Sequence, residues 1–172
     1  MKTGAPVIGL IDCAGMRLQE ATDALNGFGE IYMQQTKASG VIPQITGIFG
    51  TCGGGMAMIP ALTDFTLMEE KKAKLFVNSP NAIEGNEISK CDTSAAEYQA
   101  KEAGLVDFKG SEEDVLAQIR ALVTMLPANN EDDMSYEECT DDLNRVCKDL
   151  ANCAGDTSIA LSQISDNNVF FE

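Results

Sequence analysis

A chain of 172 residues with 44% hydrophobic content is long and apolar enough for one substantial core. Its formal net charge of −15 argues against a nucleic-acid or anionic-membrane surface, since both need a basic footprint. Histidine is absent, which excludes Ser-His-Asp or Cys-His catalysis built from this chain alone and leaves no imidazole to complete a zinc site.

The first apolar run, Pro6 to Asp12, suits a strand buried on both faces, and it ends in Cys13-Ala14-Gly15-Met16. A helix is expected from about Thr22 to Ser39, with Gly40 ending it and Pro43 opening a second strand to Phe49. That strand leads into Gly50-Thr51-Cys52-Gly53-Gly54-Gly55 and a small-residue helix reaching Leu62. Asp64–Met68 and Lys74–Val77 read as two short strands of a hairpin joined by the solvated turn Glu69-Glu70-Lys71-Lys72. Thr93 is expected to cap a helix toward Ala103, and Gly104 to end it before a strand over Leu105–Phe108.

Ser111-Glu112-Glu113-Asp114 then starts a helix whose Val115, Ile119, Leu122, Val123 and Leu126 fall on one face. Composition changes at Pro127, so residues 1–127 read as the core and 128–172 as an acidic linker and docking tail. Within the tail, a short helix spans roughly Thr157 to Ile164, and the adjacent Phe170 and Phe171 are expected to dock on this subunit or on a partner. The six cysteines form no C-x-x-C pair, so free thiols are the default. No run approaches transmembrane length and Met1–Pro6 lacks a signal-peptide layout, which predicts a cytoplasmic protein with no direct membrane insertion.

The pattern of strand, glycine loop and helix occurs twice. Two such units place their strands parallel, so that both loops emerge at one sheet edge. Peptide N–H groups from Ala14 to Met16 and from Gly53 to Gly55 then converge on one oxygen, the geometry of an oxyanion hole. Each feature also has a plainer explanation. Three glycines suit a tight turn or a close crossing, Met56 and Met58 suit core filling as well as an acyl pocket, and Cys52 suits a packed small residue. Arg17 suits either a surface pair with Glu20 or a ligand phosphate.

The segments Ile11 to Glu20, Ser39 to Ile45, Gly50 to Gly55, Pro60 to Phe65 and Ser165 to Glu172 resemble the carboxyltransferase family of biotin-dependent acyl-CoA carboxylases and decarboxylases, specifically its amino-terminal, acyl-CoA-binding half. The resemblance implies an α/β, crotonase-like fold of repeated ββα units, truncated at the amino-terminal side. It implies a coenzyme A thioester as substrate and biotin carried on a separate protein; with no histidine and no C-x-x-C pair, no metal is expected. Gly53, Gly54 and Gly55 are then the catalytic donors to the thioester enolate, and Ala14, Gly15, Met16 and Arg17 bind substrate. Implied partners are a complementary carboxyltransferase half or subunit and a biotin carrier protein, in a homo- or hetero-oligomer. The chain departs from the family's usual pair of glycines at Ala14-Gly15 and has Ser94-Ala95-Ala96-Glu97 where histidines are usual. The decarboxylating direction and a noncatalytic assembly module are the alternatives.

Overall fold

The computed structural model describes residues 2–82, 84–85, 88–132 and 139–170. The described residues fall into two compact units, Met1–Ser135 and Tyr136–Glu172.

The first unit is built on a parallel sheet of β1 (Val7–Cys13), β2 (Gln44–Gly53), β3 (Phe65–Glu69), β4 (Lys74–Phe76) and β5 (Phe108–Gly110). The strands run β1-β2-β3-β5, with β4 also pairing β2. Around them lie α1 (Ala21–Ala38), α2 (Met58–Ala61), α3 (Ala96–Lys101) and α4 (Glu112–Met125). β2 is the axis because both its neighbours and both its faces are covered, and Ile45, Ile48 and Cys52 are at most 1% exposed. Full burial of an isoleucine side chain is worth about 1.5–3 kcal/mol, so this strand contributes much of the core's stability. One face packs Ile11, Ile48, Met68, Leu75 and Ala96 with Met56 and Ile59 from the glycine segment. The other packs Ile45 and Leu67 beneath Val115, Ile119 and Leu122 of α4. The helix expected to start at Ser111 does so, and Ser111 caps α4 by accepting from the Asp114 amide in a full capping box. Val123 lies off the docked face and is 38% exposed.

Several expectations are corrected. β1 is not buried on both faces: Val7, Ile8 and Leu10 are 49%, 44% and 60% exposed. It has β2 on one side and no described strand on the other, so only Ile11 reaches the core. β3 and β4 do not form a hairpin. Both run parallel to β2, with β3 against Ile45–Ile48 and β4 against Thr51–Gly53. The turn between them is a sideways step rather than a reversal, and Glu69 is 6% exposed, not solvated. Its carboxylate accepts the amides of Lys71, Lys72 and Ala73, which closes the step without a second strand.

β2 also continues through Gly50 to Gly53, and the segment after it is a 3-10 turn, Gly54–Ala57, followed by the single turn of α2. α3 begins at Ala96 with Ala95 as N-cap, because the Thr93 region is organised instead by Asp92, whose Oδ1 accepts from the Ser94 amide at 3.1 Å. The strand expected over Leu105–Phe108 starts at Phe108, since the Asp107 amide turns to the Thr66 carbonyl at 2.8 Å before the β3 ladder begins.

In the second unit α5 (Thr157–Ile164) matches the expected helix. Arg145 binds the carboxylate of Asp141 at 2.7 Å and donates to the Gln163 and Ser165 carbonyls at 2.5 and 2.6 Å. Those carbonyls are left over at the end of α5, so one guanidinium satisfies the helix terminus. Much of the expected linker, residues 133–138, and the tail's Phe171 and Glu172 lie outside the described residues.

Candidate active site

The parallel pairing of β1 and β2 brings the two glycine loops to one end of the sheet. The last paired residues are Cys13 and Cys52, immediately before Ala14-Gly15-Met16 and Gly53-Gly54-Gly55 respectively. The backbones then touch. A Cβ on Gly53 would sit 2.8 Å from the Ala14 carbonyl oxygen and 3.0 Å from the Phe76 ring, and a Cβ on Gly15 would sit 3.3 Å from the Gly53 carbonyl oxygen.

The three glycines are glycine for three reasons. Gly53 is pressed against the first loop. Gly54 has φ +60, the left-handed region, and a Cβ there would meet nothing within 4 Å. Gly55 lies under an aromatic pair, where a Cβ would come 3.0 Å from the Tyr32 hydroxyl. Gly15 shares the backbone requirement, at φ +128. The open side of the arrangement is therefore at Gly54, with tight packing on either side of it.

Below the loops, the ladder carries a wide irregularity: Ile11 pairs Ile48 and Cys13 pairs Cys52, so Phe49, Gly50 and Thr51 stand opposite Asp12 alone. The Asp12 carboxylate replaces the missing backbone partner by accepting from the Thr51 N–H at 2.9 Å. It lies directly over Gly50, where a Cβ would be 2.1 Å from the carboxylate oxygen.

Cys52 is fully buried and its thiol pKa is pushed up to about 12, by burial first and by Cys13 second. Its Sγ donates to the Met56 carbonyl at 3.4 Å. It is a packed thiol rather than a thiolate nucleophile. Met56 and Ile59 pack against the core, which accounts for the first and leaves Met58 45% exposed. Arg17 stands apart from the loop contact, its side chain 82% exposed and paired with Glu20 at 3.3 Å.

Tyr32, Asp12 and Phe76 shape the turn, and none was singled out by sequence reasoning. Their partners lie 23, 39 and 23 positions away in the chain, and no local spacing signals such contacts. Among the described residues no helix is long and apolar enough to cross a membrane.

The family model described as "Carboxyl transferase domain" matches residues 1–172. The chain is 38% identical over 183 residues to methylmalonyl-CoA decarboxylase subunit alpha of Veillonella parvula, covering 100% of this chain and 36% of that protein. It is 42% identical over 160 residues to the propionyl-CoA carboxylase carboxyltransferase subunit of Haloferax mediterranei, covering 91% and 31%. The solved transcarboxylase 12S hexamer assembly with hydrolyzed methylmalonyl-coenzyme A bound matches with a TM-score of 0.85 at 30% identity, over 96% of this chain and 34% of that one. The chain thus spans about a third of the length of these relatives. Matched by the family model from one end to the other, and by a solved relative over 96% of its length, it belongs to the carboxyl transferase family and has that family's crotonase-like α/β architecture.

Proposed function

We propose that this chain is the acyl-CoA-binding part of a biotin-dependent carboxyltransferase, moving a carboxyl group between carboxybiotin and the carbon next to a coenzyme A thioester. The observation that carries the reading is the contact between Gly53 and the Ala14-Gly15 backbone, with the open side at Gly54. Peptide donors from both loops bind the thioester oxygen there. The carboxyl group enters in exchange for a proton on the adjacent carbon, which the biotin nitrogen that gave up the carboxyl group would take; as that proton leaves, negative charge builds on the thioester oxygen, and fixed N–H dipoles stabilise it more than they stabilise the neutral carbonyl.

Cys52 takes no part in the proton movement, because its buried thiol stays protonated. Arg17, exposed two residues after Gly15 in the chain, exchanges Glu20 for a coenzyme A phosphate. Carboxybiotin supplies the carboxyl group, held on a separate carrier protein, and no residue of this chain is assigned to it. A complementary carboxyltransferase half or subunit completes the site, in a cytoplasmic oligomer.

Likeness to a decarboxylase subunit over the whole chain supports a second direction, in which the same enolate is generated by carboxyl loss. The test is carboxyl transfer from a carboxybiotin carrier, with this chain alone and with a complementary half, together with calorimetry against acetyl-, propionyl- and malonyl-CoA. Saturable thioester binding and transfer in the mixture are expected. Saturable binding with carboxyl loss alone supports the second direction, and no heat with any thioester identifies an assembly module and overturns the proposal.

A further inference from the structure

Helix α1 supplies no group to the reaction described above, yet it makes a close polar contact with the glycine turn. The Tyr32 hydroxyl donates to the Gly55 carbonyl at 2.5 Å. The Tyr32 ring is stacked on Phe28, with centroids 5.9 Å apart and planes at 25°. A Cβ on Gly55 would lie 3.0 Å from the Tyr32 hydroxyl and 3.5 Å from the Phe28 ring, so the two rings form the surface against which Gly55 rests.

The rest of α1 is loosely held. Ala38 is its one buried residue, and the nearest other polar tie to the glycine segment is Gln35 to the Ile59 carbonyl at 3.4 Å. The contact is therefore more than the incidental by-product of a buried helix. Its target is also the part of the chain least able to hold itself. Consecutive glycines have the widest choice of backbone conformations, and Gly54 already occupies the left-handed region. The Gly55 carbonyl accepts from the Met58 amide as well, so Tyr32 completes the second lone pair of that oxygen. Because the peptide unit is planar, fixing that oxygen fixes the plane that follows Gly55. Donors that must be aimed before charge develops need such a fixed frame.

We propose that Tyr32 is a positioning residue of the carboxyl-transfer site, holding the glycine turn in its donor geometry through the Gly55 carbonyl; the inference rests on the functional reading above. Burial raises the Tyr32 pKa, so the hydroxyl keeps the proton it donates throughout the neutral range.

Tyr32→Phe removes the donor and keeps the ring. With the complementary half present, kcat for carboxyl transfer is expected to fall about ten-fold or more, the scale of a misaligned oxyanion donor. The acyl-CoA dissociation constant from calorimetry should stay within about two-fold, since ground-state binding is not what the turn's rigidity serves. Amide exchange in the chain alone gives a reading independent of partners: residues 54–57 should exchange faster while Ile45–Ile48 keep the parent rate. An unchanged kcat, a loss confined to binding, or uniformly faster exchange overturns the proposal. If the parent itself transfers no carboxyl group, the functional reading falls and takes the proposal with it. If the parent transfers and the variant matches it, the proposal alone falls.

Discussion

At Gly50 a single hydrogen atom decides whether the strand irregularity can exist. Asp12 must lie over β2 to reach the Thr51 amide, and any side chain at Gly50 competes for that space. Gly50→Ala should destabilise the chain by about 1–3 kcal/mol, the range for an overpacked site. Asp12→Ala should cost about 0.5–1.5 kcal/mol for one hydrogen bond at an exposed position. The double variant should cost less than the sum, because removing the carboxylate makes room for the new methyl. Urea unfolding of the four proteins measures this, and strict additivity would mean that the carboxylate is not the obstacle. The glycine positions themselves were legible in the sequence, since only a few backbone situations select three in a row. Which situation holds at each was not, because Asp12, Tyr32 and the Ala14 carbonyl arrive from distant positions that leave no local pattern.

The same division between local and distant causes runs through the elements. α4, α5 and the end of α1 at Gly40 follow from caps and periodicity written within a few residues, and they stand close to where those signals put them. The step between β3 and β4 was misread because two short apolar runs around a charged turn are the usual signature of a hairpin. What overrides the signature is Glu69, whose burial is visible only once β5 and the turn enclose it. Burial pushes its carboxyl pKa up, but the amides of Lys72, Lys71 and Ala73 outweigh that and bring it below the ordinary 4.5. A depressed folded pKa adds stability above the unfolded value and loses it as pH falls through the folded one. Glu69→Gln should therefore be less stable than the parent by about 1.5–3 kcal/mol at pH 7, the scale of hydrogen bonds to a charged group. The gap should narrow below about pH 4.5 as the parent's carboxylate is protonated. Denaturant midpoints for both proteins from pH 3 to 7 check this; a gap that stays constant would assign Glu69 a packing role only.

Across the whole molecule, charge sets the condition under which these local contacts operate. Residues 128–172 carry eleven carboxylate side chains against two cations, so the excess is concentrated rather than spread. Salt acts on such a chain in two opposite ways. It weakens ion pairs such as Lys101 with Glu97 and Lys109 with Glu97, both at 2.6 Å. It also screens the mutual repulsion behind a net charge of −15. Exposed pairs of this kind add little, and few are present among the described residues, whereas repulsion acts among many carboxylates at once. Screening should win. Raising NaCl from about 10 mM to about 100 mM shortens the Debye length from about 30 Å to about 10 Å, below the spacing of many like charges on a domain of this size. The thermal midpoint should rise by a few degrees over that range and then level off, because further shortening removes little repulsion that remains. Sodium chloride is the salt to use, since sulfate stabilises by exclusion from the surface and would mask the cause. A midpoint that falls with NaCl would mean that the ion pairs around Glu97 and Arg145, rather than the unpaired carboxylates, govern the balance.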